Sequence, residues 1–119
     1  MTGLEHAVLG LRQALDAPRR GRTWRWLVRH RMAAVVEALG VGAARGGDAW
    51  LAARESSLAR ERAALADRLR RLGPRVSEEA DFEPVREELL RLVVDLEHHR
   101  QHLHDLVYDS VSLELGGSE

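Results

Sequence analysis

Apolar side chains recur along the chain at spacings of three and four, the repeat that places them on one face of an α-helix. Four segments carry it. In the first, about residues 4–17, Leu4, Val8, Leu11 and Leu15 make a single stripe that Pro18 and Gly21 close. In the second, about 23–39, Trp24, Val28, Met32, Val35 and Leu39 form the stripe, Leu27 and Val36 widen it, and Thr23 has the side chain of an N-cap. The third, about 48–72, starts at Asp48, a good N-cap. It repeats Leu51, Leu58, Leu65 and Leu72 every seventh residue, with Ala52, Ala59 and Ala66 beside them. A seven-residue repeat suits coiled-coil packing at a shallow angle, and Gly73-Pro74 reads as its stop.

The fourth segment, about 81–115, is the longest. Asp81 can cap it, and Pro84 falls in the first turn, where its missing N–H costs nothing. Phe82, Val85, Leu89, Leu92, Leu96, His99, Leu103, Leu106, Ser110 and Leu113 keep a three-four alternation to its end. At 1.5 Å per residue it spans ~50 Å, more than twice the first helix. Short connections favour antiparallel neighbours. The pattern therefore predicts one all-α domain over residues 1–119, an antiparallel four-helix bundle with a long C-terminal helix.

Composition narrows the chemistry. The chain has 119 residues and no cysteine, which excludes disulfides and thiolate metal sites. Aromatics are 4%, so the core must be aliphatic. Neither a membrane-length apolar run nor the layout of a signal peptide is present, and a cytoplasmic protein is expected. The serines sit in no nucleophile-elbow pattern, and no phosphate loop or metal signature occurs, so no catalytic residues are assigned.

All 18 basic residues are arginine, and charge is divided along the chain. Residues 1–76 hold 15 arginines and 7 acids, whereas residues 77–119 hold 3 and 12. The expectation is that the acidic fourth helix packs on the basic first three and that ion pairs set its register. Arg19, Arg20, Arg22, Arg25, Arg29 and Arg31 lie between Asp16 and Glu37 with no acid among them, and Trp24 and Trp26 are interleaved. Arg22, Arg25 and Arg29 share a face. Such a patch suits phosphates, although the slightly acidic chain and the lack of a nucleic-acid-binding motif weigh against nucleic acid or an anionic membrane as partner.

Four of the six histidines crowd the run from Glu97 to Asp105. Asp95, His98, His102 and Asp105 share a face and have the donor types of a divalent-metal site, although a solvated polar stripe needs no metal. His99 instead occupies the apolar seam. It reads as a hydrogen-bonded core residue, with a pH-sensitive contact as the functional option. A di-metal centre would need inward ligands from several helices, and only His99 points inward.

These features favour a non-catalytic helical interaction or scaffolding module without a cofactor. Its fourth-helix seam through His99, Leu103, Leu106 and Leu113 would pair with a second copy or another protein. The alternative is a metal- or small-ligand-binding bundle using the His/Asp stripe.

Overall fold

A computed structural model describes residues 3–17, 21–40 and 49–117, leaving the side chains of residues 49–51, 110 and 112–117 undescribed. It contains four helices: α1 (Gly3–Asp16), α2 (Arg22–Gly40), α3 (Ala49–Glu78) and α4 (Glu83–Gly117). Among the described residues there is no strand. α1 packs on α2 and α4, and α3 packs on α2 and α4. That leaves α1 diagonal to α3 and α2 diagonal to α4, the arrangement of an up-and-down bundle.

The stripes read from the sequence form the core. Leu11, Leu15, Val28, Val35, Leu69, Val76, Val85, Leu89, Leu92 and Leu96 are fully enclosed. Trp24 closes one end of it. Its ring meets Phe82 edge-on at 4.5 Å, and its indole N–H donates to the Ala14 carbonyl at 2.8 Å.

Two local signals give way to tertiary packing. Gly73-Pro74 does not stop α3, which continues through Pro74 to Glu78. An interior proline costs ~3 kcal/mol and a glycine ~1. Against this, the extra turn fully buries Val76, worth ~1.5–3 kcal/mol. The Arg25 guanidinium also donates to the Val76 carbonyl, an acceptor that the helix end leaves open, and to those of Glu79 and Ala80 just beyond it. The second correction concerns α2, which Thr23 does not cap. The helix begins at Arg22, and Gly21, at φ 113°, accepts the first helical bond from the Arg25 amide. That left-handed backbone favours glycine. Asp81 does cap α4, accepting from the Glu83 amide at 3.2 Å. The connection between α3 and α4 is correspondingly shorter than a break at Gly73 would make it.

Ion pairs record the register. α4 meets α1 through Arg100–Glu5 and Arg12–Glu97 at 3.2 Å and Arg86–Asp16 at 3.8 Å. It meets α3 through Arg75–Glu88 at 2.6 Å, Arg68–Asp95 at 2.7 Å and Arg54–Asp109 at 2.5 Å. The acidic helix pairs as expected with the basic α3, whereas α1 holds one arginine and two acids, and two of its three pairs join α4 arginines to α1 carboxylates; among the described residues no ion pair joins α4 to α2. Each pair is partly solvated and contributes at most ~1 kcal/mol, enough to choose a register but not to drive folding.

The same pairs show where the bundle ends. α1 starts level with Arg100, because Glu5 reaches it. α2, with Arg29 beside Ser77, finishes about level with residue 65 of α3. Beyond those levels α3 and α4 run on together as a two-helix arm, with Arg54–Asp109 holding them. Burial follows the same boundary. Among the described residues every buried side chain lies between Leu4 and Leu39 or between Leu65 and His99. The molecule measures 60 × 23 × 19 Å.

Candidate functional site

Three features expected to carry function lie at different levels of this rod. At the root of the arm, His99 is 1% exposed and faces α3, where its Nδ1 lies 2.6 Å from Glu61 Oε1. A carboxylate oxygen accepts, so Nδ1 carries the hydrogen. The same oxygen accepts from His102 Nδ1 at 3.1 Å. His99 Nε2 is buried with no partner. Burial raises the Glu61 pKa, but the hydrogen bonds and charge of His99 and His102 together lower it further, to a position below the usual 4.5.

Glu61 is the residue that reading α4 alone misses. A signal for it exists on α3: three residues after Leu58 and four before Leu65, it holds a seam position where an apolar residue is expected. One polar exception on each of two apolar stripes, opposite in an antiparallel register, is a legible pair.

The proposed metal set disperses. Asp95 is engaged by Arg68, Asp105 accepts from Gln101 at 3.0 Å, and His102 turns to Glu61. His98 is exposed. No three histidines or carboxylates converge on a point where an ion could sit, among the described residues. The helical row that gives these residues a common face also spreads them along its axis, and α3 sets arginine against Asp95.

The apolar seam continues onto the arm, where it lies open. Leu106 is half-buried, but Leu103, Val107 and Val111 are 36%, 51% and 50% exposed, with Tyr108 beside them. The Leu113 side chain lies outside the described residues. On α3, Leu58 and Ala59 are half-buried and Ala52 is exposed.

The basic patch divides. Trp24 is in the core, and Arg19 and Arg20 lie outside the described residues. Arg22, Arg25, Trp26, Arg29 and His30, with Ser77 of α3, line an open groove of about 420 Å³. Trp26 is 63% exposed and stacks on His30, with ring centres 5.1 Å apart and planes within 10°. Arg29 donates to Ser77 Oγ at 3.0 Å, and Arg25 lies over the Phe82 ring. None of these arginines pairs with a carboxylate among the described residues. The topology explains this: α2 is diagonal to the acidic α4.

Fold and surface together define an all-α, antiparallel four-helix bundle carrying a two-helix arm at one end and a basic, aromatic groove at the other. No family model, curated protein or solved structure matches the chain. No described helix is long and apolar enough to cross a membrane.

Proposed function

We propose that this chain is a non-catalytic helical interaction module that assembles with a second copy of itself through the arm. The open seam carries this reading: Leu103 and Leu106, flanked by the exposed Val107 and Val111, continue the stripe that is buried as far as Leu96 and His99, past the point where α1 and α2 cover it. A helix pair with one apolar face is half of a four-helix bundle. A second arm related by a two-fold axis supplies the other half, since such an interface is self-complementary. The arm's charges favour like meeting like, because Arg54 pairs with Asp109 and Glu61 with His99 and His102 within one chain, leaving the apolar strip to make the contact.

Light scattering at micromolar concentration tests the reading. The wild type is expected at twice the 13.4 kDa chain mass. Val107→Glu, at an exposed position that leaves the intrachain packing untouched, is expected at the chain mass with unchanged helicity. A wild type that stays monomeric up to ~100 μM sinks the proposal, because that concentration corresponds to only about 5.5 kcal/mol of association free energy.

A further inference from the structure

The groove at the other end of the rod combines three elements that seldom coincide by accident. Arg22 and Arg29 present guanidinium groups with no carboxylate partner among the described residues, in a chain whose net charge is −1. Ser77 adds a hydroxyl, and Trp26 on His30 adds a flat, exposed aromatic platform. Arg25 is already committed, because its guanidinium offsets the carbonyls at the end of α3. That removes the negative end of α3 from the groove and leaves the positive N-terminus of α2 beside it. Of the nearby acids, Glu79 is held by Arg75 and Asp81 by its capping role, while Glu78 is an exposed neighbour of Ser77 in sequence.

Guanidinium groups recognise phosphate oxygens through paired N–H donors. An exposed tryptophan stacks on a nucleobase regardless of its identity. Placed within one turn of each other on α2, the two kinds of group fit a ligand that is anionic at one end and planar at the other. We propose that this groove binds a nucleotide unit, with its phosphate against Arg22 and Arg29 and its base on Trp26. The unit is either a free nucleotide or one residue of a single strand. A ligand with phosphate and no base would use the arginines alone, so the stacking platform is what selects the class.

Gly73 of α3 lies beside the Arg29 side chain that lines the groove. A Cβ at Gly73 would come within 3.3 Å of the Arg29 guanidinium. The missing side chain leaves room for the Arg29 guanidinium to lie against α3, where it donates to Ser77.

The groove and the arm are at opposite ends, so failure of one reading leaves the other standing. The test is a titration of the full chain, at low salt, with pyrophosphate, adenosine monophosphate, adenosine triphosphate and a ten-nucleotide thymidine strand. Calorimetry and tryptophan fluorescence are followed together. Nucleotides are expected to quench Trp26 and to bind at least tenfold more tightly than pyrophosphate. Trp26→Ala is expected to erase that preference while keeping pyrophosphate binding, and Arg22→Glu/Arg29→Glu to abolish both with helicity unchanged. A steep salt dependence and a tenfold gain for the strand over the mononucleotides would identify single-stranded nucleic acid as the source, and equal binding would identify a free nucleotide. The proposal is overturned if no base-bearing ligand binds below millimolar concentration, or if Trp26→Ala leaves the affinities unchanged.

Discussion

His99 and Glu61 show what one buried polar pair demands of its neighbours. The imidazole is enclosed, its Nε2 already lacks a partner, and Glu61 accepts from Nδ1. Glu61→Ala would strand the second nitrogen as well. Leaving a buried donor unpaired costs ~1–3 kcal/mol. In a chain of this length ~1 kcal/mol corresponds to ~4 °C, so the thermal midpoint is expected to fall by ~4–12 °C at neutral pH. The pH dependence follows from the lowered Glu61 pKa. A carboxylate with a depressed native pKa contributes stability that is complete above its unfolded value of 4.5 and is lost as pH falls through the native one. The midpoint gap between wild type and Glu61→Ala should therefore narrow below about pH 4.5. A gap that is constant from pH 7 to pH 3 would show that His99 does not depend on the ionised carboxylate.

At the scale of the helix, α3 is held past its own breaker. Pro74 has no N–H to offer the Arg70 carbonyl, and the side chain is exposed. The burial of Val76, the Arg25 cap, and the contacts of Arg75 with Glu88 and Ser77 with Arg29 keep the last turn helical. Pro74→Ala restores the hydrogen bond and removes the ring clash, a gain of ~3 kcal/mol. The freer unfolded chain takes back ~0.4–1 kcal/mol, and water at the exposed Arg70 carbonyl takes back more. A net rise of ~1–2 kcal/mol is expected, seen as an increase in urea midpoint without a change in slope. If Pro74→Ala were destabilising, the fixed φ of proline would have to be shaping the α3–α4 corner rather than merely being tolerated in it.

At the scale of the molecule, the arm proposed to pair and the groove proposed to bind a nucleotide lie at opposite ends of the chain. One chain is 60 Å long, and the arm accounts for ~25 Å of it. Two copies overlapping through their arms would make a rod of about 95 Å, with a groove near each tip. X-ray scattering should return a maximum dimension near that value for the wild type. A side-by-side dimer, which would keep the length of one chain, would place the interface elsewhere and exclude the arm. Nucleotide binding should persist in the monomeric Val107→Glu chain.

The helical class and most of the core were legible in the sequence because helix periodicity is local. Leu11, Val28, Val35, Leu89 and Leu96 could be assigned inward from spacing alone, and His99 could be recognised as the polar exception in its stripe. The charge division foretold the pairing of α4 with α3, but not that α4's own Arg86 and Arg100 would meet the acids of α1. Which arginines took part was a matter of topology, since only helices adjacent to α4 can reach it. That left Arg22, Arg25 and Arg29 without carboxylate partners among the described residues, on the wall of a groove, while Trp24, interleaved with them in sequence, went to the core. The His/Asp row disperses for a related reason: a common helical face is a property of one segment, whereas a coordination site requires several side chains to meet at one point. Local chemistry determined which residues form helices and which stripe each helix buries. Tertiary structure decided where α3 ends, which charges meet, and how far the seam runs uncovered, because each of these depends on what lies opposite.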